Sequence, residues 1–112
     1  MPEPDARALL GSLGLCRKAG KLLHGYDRVR EAAVMDKAKL VLLARDASER
    51  TAQHMRAACK GLAPCAVMPL TIEQLSTLTP KPCAVFAVTD ENLARLCAGH
   101  LTEFKEESAN GL

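Results

Sequence analysis

Aromatic side chains are almost missing from this 112-residue chain, which has one tyrosine, two phenylalanines and no tryptophan. Proteins that hold single strands of nucleic acid stack the exposed bases on several aromatic platforms, so broad stacking is excluded. Long apolar runs are missing too. The longest, LVLLA at 40–44 and CAVFAV at 83–88, fall far short of the roughly 18 residues a membrane-spanning helix needs. The five cysteines at 16, 59, 65, 83 and 97 are odd in number and form no Cys-x-x-Cys, so neither a disulfide framework nor a zinc site is indicated. Most lie in apolar stretches and read as packed, reduced thiols.

Catalytic signatures are equally scarce. His24, His54 and His100 share no local motif with a nucleophile, and there is no His-Glu-x-x-His. The glycines at 11 and 14 fall inside a predicted helix rather than after a strand, so they form no dinucleotide loop. No metal, cofactor or small-molecule substrate is expected. The opening MPEPDAR has neither a basic leader nor an apolar segment, which gives the expectation of a cytoplasmic protein without a membrane partner.

What is present suits an ordinary globular protein. Apolar residues make up 48% and charged residues 25%, the balance of a soluble domain rather than a disordered one. The length accommodates one domain with a core, taken here as about 5–100 with a tail at 101–112.

Leu9, Leu10, Leu13 and Cys16 follow helical spacing, with Asp5 as the expected cap and Gly20 as the stop after Arg17 and Lys18. Lys21 to His24 reads as a short extended segment. Gly25 turns the chain into a second helix with Val29, Ala32 and Ala33 inside, ending by Asp36 and Lys37. KLVLLA is a strand covered on both faces, expected at the centre of a sheet. Ser48 caps a third helix with Ala52, Met55, Cys59 and Leu62 as its core stripe. Pro64 and Pro69 bracket the short strand CAVM, and Thr71 and Gln74 have capping-box spacing. TPKP at 79–82 is a stiff loop. CAVFAV is the second strong strand, and Thr89 or Asp90 caps a last helix holding Leu93, Leu96 and Cys97. Helices alternating with short buried strands predict an α/β fold, a three-layer α/β/α sandwich on a small mixed sheet of about four strands.

Net charge is only +2, but residues 1–56 carry 11 Lys/Arg against 7 Asp/Glu while 57–112 carry 4 against 6. Five of those positive charges and one negative fall within 17–30. A charge cluster on one surface is what a nucleic-acid footprint requires, although a solvated helix end has the same composition. With so few aromatics, any such contact depends on phosphates, backbone amides and polar side chains fitted to a folded shape. The turn at Gly25 suits that mode, because a helix N-terminus offers unsatisfied N–H groups and a positive dipole end. Lys18, Lys21 and Arg28 are expected around it.

Gly20-Lys21-Leu22-Leu23-His24-Gly25-Tyr26-Asp27-Arg28-Val29, then Ala38-Lys39-Leu40-Val41-Leu42-Leu43-Ala44 with Asp46, and later Val85-Phe86-Ala87-Val88 with Asp90-Glu91, resemble the ribosomal-protein family that binds kink-turn RNA. That family includes the archaeal large-subunit protein of the seven-Ae type, its thirty-e relative and the bacterial YlxQ-like proteins, to which this chain is most similar. The resemblance spans about residues 7–98. It implies the α/β/α fold and a non-catalytic, RNA-binding role, with structured RNA as partner and ribosomal RNA and the ribosome as candidates.

The family's Gly-x-Asn-Glu segment at the start of the second helix is matched by Gly25, Asp27 and Arg28, and its Gly-Lys lysine by Lys21. Lys81-Pro82 occupies the place of an Arg-Pro pair in the loop before the last strand. Asp27 keeps an asparagine's acceptor without its donor, Arg28 reverses the usual charge, and Glu31 stands where a lysine is common. The RNA-contacting set implied is Lys18, Lys21, Gly25, Tyr26, Asp27, Arg28, Arg45, Lys81 and Pro82.

Two other readings stay open. One is a protein-interaction module on the ribosome or transcription machinery that retains the fold. The other is a small enzyme using Asp46 and Asp90 near strand ends, which requires a pocket joining the two carboxylates.

Overall fold

The two aliphatic runs, LVLL and VFAV, become β2 (Leu40–Leu43) and β4 (Val85–Val88), and every residue of both is buried. The computed structural model describes residues 4–101. Edge strands β1 (Leu22–His24) and β3 (Cys65–Val67) complete a four-stranded sheet of order β1-β4-β2-β3. β4 runs antiparallel to both β1 and β2, with Leu23 opposite Ala87 and Val41 opposite Ala87 on its two sides. β2 and β3 are parallel, joined through helix α3 (Glu49–Cys59).

Alternation along the central strands divides the core in two, because successive side chains point to opposite faces. Leu40, Leu42, Phe86 and Val88 face the layer of α1 (Pro4–Lys18), α4 (Ile72–Leu75) and α5 (Glu91–Ala98), where they meet Leu9, Leu13, Leu75 and Cys97. Val41, Leu43, Val85 and Ala87 face α2 (Tyr26–Val34) and α3, where they meet Val29, Ala33 and Met55. The three-layer mixed sandwich is therefore the fold.

The helix starts follow local chemistry. Ser48 accepts from the Thr51 N–H at 3.1 Å and Asp90 from the Leu93 N–H at 3.4 Å. Thr71 and Gln74 form both halves of a capping box, an arrangement that satisfies two otherwise orphaned donors.

The ends of α1 and α2 close in the same way. Gly20 (φ 72) donates to the Arg17 carbonyl and Lys21 to that of Cys16. Asp36 (φ 58) donates to Ala33, and Lys37 to Ala32. Both are Schellman turns, with a left-handed residue just past the helix.

Four expectations need correction. α1 begins at Pro4, so Asp5 lies inside the helix rather than capping it. Leu62 is exposed because α3 stops at Cys59 and Gly61 (φ 78) closes a turn in which the Leu62 N–H bonds the Cys59 carbonyl. In α5 the small Ala94 takes the inner position with Cys97, leaving Leu96 on the flank, 42% exposed. Leu101 is buried in the first core cluster, so the core extends past residue 100. The rest of the predicted tail, 102–112, lies outside the described residues.

All five cysteines are free. The buried Cys16 and Cys97 sulfurs lie 3.8 Å apart. Burial, reinforced by Cys16, pushes the Cys97 thiol up to about 12. Cys16 is also raised, again mainly by burial, and neither thiol is available as a nucleophile at neutral pH.

Candidate nucleic-acid interface

The segment between β1 and α2 begins with a backbone requirement. Gly25 has φ 99 and ψ 142, a conformation essentially restricted to glycine. A Cβ there would meet nothing within 4 Å, so the backbone rather than crowding demands glycine and the space in front of it is open. Gly25 is the N-cap of α2 and no side chain caps the helix. The first N–H groups of α2 are therefore presented outward at its positive end. The Gly25 N–H itself bonds the Val85 carbonyl at 3.1 Å, which fixes this helix start against the beginning of β4.

Tyr26 is half-buried, and its hydroxyl lies 3.1 Å from His54 Nδ1 on α3, with the rings edge to face at 6.3 Å. That contact anchors the ring, so it forms no free platform for a base. His24 Nδ1 lies 3.6 Å from Cys83 Sγ, which brings the segment after Lys81 and Pro82 to the same end of the sheet. The loop is braced by the Thr79 hydroxyl donating to the Lys81 carbonyl at 2.6 Å. The Ala44 N–H bonds the Ala84 carbonyl at 2.8 Å, so exposed Arg45 stands at this end too.

An open groove of about 750 Å³ runs between α2 and β1, beginning at Asp27 and Arg28 in the first turn of α2; Gly25 itself is not among its lining residues. Lys21, Asp27 and Arg28 line it together, so these predicted residues share one concave surface. Leu23, Ala32 and Met35 line it as apolar residues, and Glu31, Asp36, Lys37, Lys39 and Thr89 complete it. Lys18 is exposed in the last turn of α1 and is not among the lining residues.

The predicted set therefore divides. Gly25, Tyr26, Arg45, Lys81 and Pro82 gather at one end of β1, and Lys18 and Lys21 at the other. Three strand residues separate the ends, about 10 Å at the usual rise per residue. Asp27 and Arg28 connect them along the groove.

Lys37 and Lys39 were not singled out from the sequence as contacts. They flank a strand, and only the pairing of β4 with both β1 and β2 brings them beside Lys21. Asp46 and Asp90 behave differently from the enzyme reading. Asp46 Oδ1 accepts from the Ile72 N–H at 2.9 Å and Asp90 caps α5. They follow β2 and β4, which are antiparallel, so they stand at opposite ends of the sheet and cannot share a pocket.

The fold agrees with the comparisons to known proteins. Residues 7–98 match the ribosomal protein L7Ae/L30e/S12e/Gadd45 family, and the chain belongs to it. The RNA-binding protein YlxQ of Enterococcus faecium is 28% identical over 96 residues, covering 85% of this chain and 92% of that protein. A solved Bacillus halodurans protein of unknown function is also 28% identical, with a TM-score of 0.75 over 82% of this chain and 94% of its own. A 15.5 kD RNA-binding protein of Giardia lamblia has the same fold, with a TM-score of 0.72 at 18% identity over 97% of this chain and 92% of its own.

Proposed function

We propose that this chain is a non-catalytic RNA-binding protein of the cytoplasm, a single domain that takes structured, kink-turn-like RNA at the N-terminus of α2. The observation that carries this reading is the glycine-demanding, uncapped helix start at Gly25, with Lys21 and Arg28 along the adjoining groove. The RNA-binding name of the Enterococcus relative supports it. Lys21 and Arg28 hold phosphates, Gly25 admits the backbone, and Asp27 and Tyr26 meet base or sugar edges. Lys81, Pro82 and Arg45 form a second wall at the same end, and Lys18 adds charge at the margin. A partner with the charge density of nucleic acid suits these positions, since phosphate contacts supply most of the affinity of such surfaces.

Crosslinking the protein to RNA in cells and sequencing the attached fragments tests this. The expected result is recovery of structured RNA, including ribosomal RNA, with crosslinks in the peptides containing residues 21–28 and 81–82. Absence of attached RNA overturns it.

A second reading rests on the groove's Leu23, Ala32 and Met35 and its three carboxylates, Asp27, Glu31 and Asp36. These suit an interaction module on the ribosome or transcription machinery. Under that reading a protein partner stays bound after nuclease treatment.

A further inference from the structure

The groove does not end at the helix start. At its far end the Thr89 N–H donates to the Lys21 carbonyl at 3.0 Å, and the Lys39 N–H donates to the Val88 carbonyl at 2.8 Å. The beginnings of β1 and β2 are thereby held on either side of the end of β4, with Lys21 and Lys39 both exposed and both lining the groove. Lys37 joins them from the turn that closes α2, where Asp36 holds a left-handed backbone (φ 58). A non-glycine residue in that region costs energy and marks a turn fixed by its surroundings. Here it directs the chain so that Lys37 enters the groove lining.

Among the described residues, no carboxylate lies within ion-pair distance of any of these three lysines. The groove's carboxylates are Asp27 and Glu31, one turn apart on the α2 wall, and Asp36 in the turn that carries Lys37. Asp27 and Glu31 push a polyanion away from the helix wall toward the exposed Lys21 and Lys39, with Lys37 offsetting Asp36 beside it. The nine residues of α2 give the wall a length of about 13 Å, over which a duplex presents on the order of eight phosphate charges.

We infer that the RNA extends from the α2 N-terminus along this groove and that Lys21, Lys37 and Lys39 form a second phosphate anchor at the far end of β1. This rests on the RNA-binding reading and adds a helical arm to the bound RNA beyond the turn at Gly25. The anchor contributes affinity without sequence preference, because lysines contact phosphate as point charges.

The test uses two fluorescein-labelled kink-turn hairpins, identical except for a flanking stem of either about three or about nine base pairs, titrated over a salt series chosen from the linear counterion-release range. In the variant K37A/K39A the slope of log affinity against log salt falls by about 1.8 for the long stem, two contacts at roughly 0.9 each. The short stem shows little change, and K37R/K39R restores the long-stem slope. Circular dichroism melting confirms that the variants fold. An unchanged long-stem slope, or an equal loss with both stems, overturns the anchor while leaving the Gly25 site standing. Failure of the unmodified protein to hold either hairpin at the lowest salt overturns both readings. Loss of a nuclease-resistant protein partner in K37A/K39A, with RNA binding intact, assigns the lysines to a protein and overturns the anchor.

Discussion

Lys21 and Lys37 hold the same position in two copies of one turn. Each is the third residue past a helix, each donates its backbone N–H at 2.8 Å to a carbonyl of the last helical turn, Cys16 for Lys21 and Ala32 for Lys37, and both line the groove between α2 and β1. The turns differ in the residue before the lysine, which is Gly20 in one and Asp36 in the other. The positions of two cations in the groove are therefore set by how two helices stop.

Replacing Asp36 by glycine removes the cost of a side chain in the left-handed region, which is about 1–2 kcal/mol for most residues and less for aspartate. Part of the gain is offset by the greater freedom of glycine in the unfolded chain. The expected outcome is a stability gain of about 0.5 kcal/mol, a rise of roughly 2–4 °C in thermal melting. Asp36→Val, β-branched in the same conformation, lowers the melting temperature instead. A lower melting temperature for Asp36→Gly shows that the aspartate side chain stabilises the turn.

Gly25→Ala separates backbone strain from steric clash. An added Cβ meets nothing within 4 Å, so the cost comes from φ 99 alone, about 1–3 kcal/mol. Urea denaturation gives the loss directly, with an unchanged m-value because the surface exposed on unfolding is the same. A neutral substitution shows that the helix start can relax into an ordinary cap. An RNA site there then does not depend on the glycine backbone.

The Cys97 thiol makes stability depend on pH in the alkaline range. It is raised from 9.0 to about 12 by burial and by the neighbouring Cys16. Between these values the unfolded chain has lost a proton that the folded chain retains. Stability is therefore full below pH 9 and falls as pH rises toward 12, by up to about 1.4 kcal/mol per pH unit. Urea midpoints of the unmodified chain and Cys97→Ala, measured from pH 8 to 10.5, should converge as pH rises. Parallel curves show that Cys97 titrates alike in both states.

The fold was legible wherever a local pattern carried it. Leu40 to Leu43 and Val85 to Val88 announce buried strands by continuous aliphatic sequence, and Ser48, Thr71 and Asp90 mark helix starts by side chains that bond locally. Leu62 and Leu96 were misplaced because helical spacing does not say where a helix stops or which of two flanking positions a small residue such as Ala94 will take.

The grouping of the candidate site's residues was half legible. Gly25, Asp27, Arg28 and Lys21 stand close together in sequence, and their grouping survives folding. Lys39 joins them only because β4 lies between β1 and β2, and the Cys83–His24 contact depends on the same antiparallel pairing. Such relations are set by strand order across 42 or more residues, which periodicity cannot report.

Lys21 and Arg28 provide the most direct measure of the interface, since both are exposed and both line the groove. Neither supports the core, so alanine at both positions leaves the melting temperature within the small range usual for surface substitutions, about ±0.5 kcal/mol in stability. RNA affinity at low salt falls, and the slope of log affinity against log salt becomes shallower by about 0.9 for each phosphate contact removed in duplex RNA, or about 0.7 in a single strand. The reduction is the same for RNAs of different sequence, because phosphate contacts position the ligand and do not read it. Asp27→Asn acts differently: it removes a negative charge and restores an amide donor, so it raises affinity and changes the preference among RNAs with different base pairs at the turn. An unchanged salt slope in the double alanine variant removes Lys21 and Arg28 from the interface, and a uniform effect of Asp27→Asn on all sequences removes Asp27 from base recognition.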